Sequence, residues 1–308
     1  MGVFLLKLLL QRLNKWLVLL ILSVPFASTA GEGAFGWIYT LDLQPKGTLE
    51  FEQRLQRNHR QASGKYDVLL ARSELEYGLT DNLQIAGYVN SYSASIDQNY
   101  TNTEICGTSP TCTSGFPIPS SHGRSAPFNQ KGIDGYSLEA IYRLTNPVIE
   151  PLGIGFYIEP TVGKLKNELE TRLLLQSNFL DDRLIVASNI VFANEQLKFL
   201  GQGNVPESML DVLFGFSYRF APKWFAGMEA RLHNDFARYN LKNQTQRQFF
   251  FGPNLHFAEK DWWFSAAWRY QPKGGKCYGD GTGECSDGRV WDSHSRNEMM
   301  FKVGIPIH

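Results

Sequence analysis

Carboxylates recur in this sequence two residues apart, with a guanidinium two residues further on. Glu50, Glu52 and Arg54 form one such set, Glu168, Glu170 and Arg172 another, and Arg72, Glu74 and Glu76 the same set reversed. Glu139 with Arg143, Asp211 with Arg219, Glu229 with Arg231, and Glu298 with Lys302 are looser versions; Glu159 and Arg269 stand alone. On a strand, residues two apart share a face. A pair of carboxylates on one face is compatible with general acid–base work on a glycosidic or similar bond. It is equally the pattern of a polar wall, and an arginine beside each pair favours the second reading. Eleven acids and eight bases fall on such faces, too even a balance for a pore of one sign. They point to an ion-paired interior.

Other candidate chemistry is thinner. His233 and His256, with Glu229 nearby, fall on inward positions of neighbouring strands and could form an acid–base or metal group, though inward histidines are more often ordinary polar wall. Ser73 and Ser188 fall on the apolar face, where no histidine joins them, so a lipid-facing Ser–His pair has little support. Asp280 to Glu284, with Asp287 and Asp292, offer oxygen ligands for Ca²⁺ but lack the spacing of a calcium loop. Cys106 with Cys112 and Cys277 with Cys285 are close pairs in Gly-, Ser-, Thr- or Pro-rich loops. Four cysteines allow three connectivities, of which two local bridges are expected; zinc would need histidines that neither pair has nearby. No catalytic residue, metal or other cofactor is therefore expected.

These side chains need strands to position them. Leu210, Val212, Phe214, Phe216, Tyr218 and Phe220 alternate with Asp211, Leu213, Gly215, Ser217 and Arg219. After Ala221-Pro222-Lys223, Trp224, Ala226, Met228, Ala230 and Leu232 alternate with Phe225, Gly227, Glu229, Arg231 and His233. Period two on both sides of a short turn predicts an antiparallel hairpin. The same alternation predicts strands over 47–57, 65–78, 83–95, 132–144, 152–162, 167–179, 183–192, 208–220, 224–234, 248–257, 261–270 and 295–307. Short turns alternate with longer connections, of which 96–131 and 271–294 are the longest and hold the cysteines. Twelve strands, an apolar face on each, and aromatics such as Tyr77, Phe220, Trp224, Trp262, Trp263, Trp268 and Tyr270 near strand ends predict one antiparallel transmembrane barrel over residues 46–308. Residues 31–45 are a lead-in that could enter the barrel, lie at the membrane surface or remain poorly ordered.

The N-terminus sets the compartment. Lys7, Arg12 and Lys15 precede eleven residues from Trp16 to Phe26 that contain no charge, and Ser28 and Ala30 supply the small residues of a cleavage site. This is the secretory pattern, so residues 1–30 are expected to be removed. With 30 basic and 30 acidic residues overall, losing those three cations leaves 27 against 30. No basic stripe suggests nucleic acid.

Several stretches resemble an uncharacterised family of outer-membrane-type β-barrel proteins from Gram-negative bacteria: 78–84 (GLTDNLQ), 176–184 (QSNFLDDRL), 217–222 (SYRFAP) and 251–256 (FGPNLH). The resemblance spans about residue 34 to the end and implies a barrel in the outer membrane without an established activity. The chain departs from the common outer-membrane pattern by ending Ile305-Pro306-Ile307-His308 rather than in an aromatic residue. The leading functional expectation is a passive channel or uptake porin for small polar solutes in contact with outer-membrane lipid, its selectivity set by the inward charges. A closed barrel acting as scaffold or surface-interaction protein is the alternative, and an outer-membrane enzyme is third. The sequence leaves the oligomeric state open.

Overall fold

A computed structural model describes residues 32–101, 106, 109–118, 121–199, 203–279, 285–291 and 294–307. The expected signal segment and the whole acidic 280–284 stretch, with Asp292, lie outside the described residues.

Twelve long strands form the barrel: β1 (Leu49–His59), β2 (Lys65–Thr80), β3 (Leu83–Asp97), β4 (Phe128–Thr145), β5 (Gly153–Gly163), β6 (Lys166–Phe179), β7 (Leu184–Phe199), β8 (Gly203–Ala221), β9 (Trp224–Ala237), β10 (Gln244–Ala258), β11 (Trp263–Tyr270) and β15 (Asn297–Ile307). Three two-residue strands, β12 (Lys276–Cys277), β13 (Cys285–Ser286) and β14 (Arg289–Val290), lie in the last long connection. Each barrel strand pairs antiparallel with its neighbour in sequence, and β15 closes the ring between β11 and β1, where Leu49 stands opposite Ile307. The chain is all-β, and closure leaves the barrel sheet without a free edge among the described residues. One end carries the short turns, including 81–82, 222–223 and 259–262, with both ends of the barrel chain. The opposite end carries the long connections 98–127 and 271–296.

Alternation sets the two faces. Leu138, Phe156, Val162, Phe214, Phe216 and Ile305 are exposed on the outside, while Glu52, Glu74, Glu159, Asp211 and Arg269 are buried inside. A belt of apolar side chains around a charged interior is what lipid outside and polar groups inside select. Several strands run past the belt at the long-connection end. Thus β4 begins at Phe128, β7 continues to Phe199 and β8 starts at Gly203.

Two local disulfides, Cys106–Cys112 and Cys277–Cys285, staple the long connections. Between the first of those connections and the wall lies an apolar cluster of Tyr66, Val68, Ala94, Ile96 and Phe128, with Leu70, Tyr92, Phe116 and Ile118 packed against it.

The lead-in enters the barrel. Ala34, Phe35, Ile38, Tyr39, Thr40, Leu41, Leu43 and Gln44 are all buried. Gly33 lies against His256 and Trp263 near the short-turn end of β10 and β11. Trp37 reaches Gln56, seven residues up β1, and the chain then returns until Gly47 bonds Gly78 at the short-turn end. The segment is thus a loop inserted from one end of the barrel, rising to about mid-depth and descending.

Candidate functional site in the barrel lumen

An inserted chain outside the sheet must find other partners for its backbone, because unpaired buried amides are costly. The wall supplies them from side chains. Glu229 accepts from the N–H groups of Gly36 (2.6 Å) and Trp37 (3.0 Å). Asn189 accepts from the Tyr39 N–H at 2.7 Å and donates to the Tyr39 carbonyl at 2.9 Å. Gln176 accepts from Leu41 N–H and Gln84 from Gln44 N–H. The carbonyls of Trp37 and Leu41 accept from Arg172 and Arg143.

Packing completes the seat. Phe35 and Ile38 join Ile185, Ala187, Val191, Leu213 and Phe225; Leu41 and Leu43 join Ile141, Tyr157 and Leu174. These wall residues are apolar at inward positions, which a water-filled lumen would not favour. Two glycines make room. A Cβ on Gly155 would meet Leu41 Cδ2 at 2.4 Å, and one on Gly215 would meet Ile38 Cδ1 at 2.7 Å.

The charges named from sequence divide into three groups. Some hold the inserted loop: Glu229, Arg172 and Arg143 as above, Glu76 through Gln44 and Gln84 (3.4 Å each), and Arg54, which donates to the Tyr39 hydroxyl at 2.5 Å. Arg269 stacks 3.7 Å over the Trp37 ring while pairing with Glu298 at 2.6 Å. Others pair along the wall: Arg54 with Glu52 and Glu74, Arg72 with Glu159 at 3.1 Å, Lys166 with Glu168 and Glu195 at 2.7 Å each, Arg172 with Glu170 at 2.7 Å, and Lys302 with Glu52 at 3.7 Å. Glu139 is buried on the same wall. Arg219 sits at the short-turn rim, donating to the Asp181 carbonyl and lying over Phe225. Buried pairs of this kind add little net stability, but breaking one strands its partner at a cost of about 3–5 kcal/mol.

Above the inserted loop is a cavity of about 400 Å³. Trp37, Tyr39 and Arg54 line it from below, charged side chains of β6, β8, β9, β11 and β15 from one side, and Tyr66, Leu70, Tyr92 and Phe116 from the other. A solute here meets both signs of charge and one aromatic wall.

His233 and His256, which share an inward face, do not come together. His256 faces Ser265, at 2.8 Å, and Gly33 near the short-turn end. In the ladder His256 stands opposite Phe225, eight residues down β9 from His233, so strand length separates them. His233 instead meets Asp211, Asp235 and His294, the last on the connection between β11 and β15. That contact spans 61 residues, and no strand periodicity marks His294. Among the described acids of the 280–292 stretch, Asp287 pairs with Arg289 at 2.8 Å. At the lumen mouth, Asp42 on the inserted loop has its carboxyl pushed up by burial, opposed by Gln176, Thr40 and Arg143 and reinforced by Asp182.

A family model described as a family of unknown function (DUF6662) matches residues 27–307. Comparison with curated proteins finds no match. Among solved structures, the fold is similar to an outer membrane channel from Pseudomonas putida F1, at 9% identity and TM-score 0.55, covering 92% of this chain and 100% of that one. The NanC porin is 10% identical with TM-score 0.48, covering 84% of this chain and 100% of the other. The first of these likenesses shows an outer-membrane barrel fold.

Proposed function

This chain belongs to the DUF6662 family, and from its lumen we propose a channel for small polar solutes in the outer membrane of a Gram-negative bacterium, closed at rest by its own residues 33–45. The short-turn end faces the periplasm and the long connections face outward, as in other barrels of this class. Solute enters the 400 Å³ cavity from outside and meets Trp37 and Tyr39 as its floor. Transport requires that loop to leave its seat toward the periplasm, where both of its ends already lie. The channel-like barrel fold of the neighbour supports this reading, and the carrying observation is the seat itself. Polar wall groups bind the loop's backbone, so its release exchanges protein hydrogen bonds for water ones without unfolding a strand. Many of the buried carboxylates, Glu52, Glu159, Glu168, Glu229 and Glu298 among them, are engaged by cations or by the loop, which favours an ion-paired wall over a reaction centre.

The packed loop also favours a second reading, a permanently closed barrel that presents its stapled outer connections as a scaffold. Uptake of sugars and amino acids of graded size into proteoliposomes separates the two. The channel reading expects slow, size-limited uptake by the full chain and fast uptake by a variant lacking residues 33–44. A correctly folded deletion variant that passes nothing would leave the scaffold reading.

A further inference from the structure

The geometry points to a divalent transition-metal site, of the zinc or ferrous class, at His233, Asp235 and His294. His233 Nε2 lies 2.6 Å from Asp235 Oδ2 and 2.8 Å from His294 Nε2, and the last two atoms are 3.8 Å apart. Ligand bonds of about 2.0–2.1 Å put neighbouring donor atoms about 3.3 Å apart in a tetrahedral shell, and the three edges straddle that value. Two histidines and one carboxylate on one side of an ion leave its other positions open, the arrangement used for Zn²⁺ and non-haem Fe²⁺.

Without an ion, a doubly protonated His233 donating to Asp211 and Asp235 satisfies these contacts; a bound ion would take the place of the Nε2 proton. Asp211 Oδ1 lies 2.8 Å from His233 Nδ1. Its other oxygen accepts from Arg231, whose Nη2 stands 2.8 Å from the same ring nitrogen, on the side away from the three donor atoms. With the Nδ1 proton given to Asp211, the Nε2 lone pair of a neutral His233 faces a carboxylate oxygen and a second imidazole nitrogen. Three electron-rich atoms then converge on one point, and a cation satisfies all three. A carboxylate bonded to the far nitrogen of a ligating histidine is the usual means of fixing its tautomer and orientation. Asp211 fills that role as a positioning residue.

Place adds to chemistry. All three residues are buried, at most 8% exposed, yet they line the cavity. His233 and Asp235 belong to the barrel wall and His294 to the last outer connection, which Gln61 also holds through the Trp291 and His294 carbonyls. A bound ion ties that connection to the wall and presents its open positions to a carboxylate- or amine-bearing solute. Metal binding here is independent of whether anything crosses the inserted loop.

The test uses untagged, chelator-stripped full-length barrel in detergent, titrated with Zn²⁺ by calorimetry and with Co²⁺ by visible absorption. One ion per barrel and Co²⁺ bands of a four- or five-coordinate nitrogen–oxygen site are expected. His294→Gln and Asp235→Asn should each weaken binding more than about 100-fold, and Asp211→Asn about 10- to 100-fold. His122→Gln, in the other outer connection, should change nothing. His294 lies outside the barrel strands, so its variant keeps the heat-dependent gel mobility of a folded barrel. Absence of stoichiometric binding, or binding that survives His294→Gln, would overturn the site.

Discussion

Glu229→Ala gives the sharpest perturbation of the inserted loop. In the folded chain this carboxylate receives the backbone N–H groups of Gly36 and Trp37 and is itself only 2% exposed. Truncation leaves two buried donors without an acceptor. Each costs about 1–3 kcal/mol; with partial rescue by water entering the space, a total of about 2–4 kcal/mol is expected. Only the seated loop bears this cost, since a displaced loop is hydrated. At 1.4 kcal/mol per factor of ten, the ratio of open to closed barrels should rise about 30- to 700-fold. Single-channel recording in planar bilayers reads that ratio as open probability, and heat-dependent gel mobility checks that the barrel is intact. An intact Glu229→Ala barrel with the open probability of wild type would refute the account of the seat.

Filling the space reserved for Leu41 or Ile38 should act in the same direction: Gly155→Leu and Gly215→Leu should each raise the open probability at least tenfold, read in the same recordings. The Asp42 carboxyl is pushed up when the loop is seated, so seating takes up protons. Closure should therefore tighten as pH falls and loosen as pH rises through the raised value. Asp42→Asn should flatten that dependence, and an unchanged conductance–pH curve in this variant would contradict it. Phe214, exposed in the apolar belt, faces lipid; Phe214→Arg should destabilise the barrel by about 2–4 kcal/mol at mid-membrane, measured by unfolding in lipid vesicles. Thiol alkylation should add no mass to the native chain and four labels after reduction, as two local bridges require.

The barrel was readable because lipid on one face and polar groups on the other impose strict alternation, as over Leu210–Phe220 and Trp224–Leu232. Where strands leave the apolar belt the signal fades. Asn194, Glu195 and Gln196 in β7, and Pro206 and Glu207 in β8, carry no apolar alternation, so the reading stopped short of strands that continue on backbone pairing alone. The lead-in gave no such signal. A run rich in Gly and aromatics suits a membrane surface as well as a lumen, and its amides bond to side chains distant in sequence. The available clue lay on the wall: Ile141, Leu174, Ile185 and Leu213 are apolar at inward positions and needed an apolar partner inside. The charged positions were found as a set, but their division into loop anchors and wall pairs depends on which strands the loop touches. His294 was missed because it lies on an irregular connection, while His256 was grouped with His233 by sharing a face without regard to position along it.

The central claim is that the inserted loop is the gate, and a reversible lock tests it most directly. Ile38 packs against Gly215, with its Cδ1 2.7 Å from where a Cβ would stand, so Ile38→Cys with Gly215→Cys sets two thiols on facing positions of the seated loop and the wall. Conductance of this variant in planar bilayers should vanish on oxidation and return with reductant, while wild type treated identically keeps its openings. Openings that persist through a completed cross-link would place the conduction path, or the gate, elsewhere.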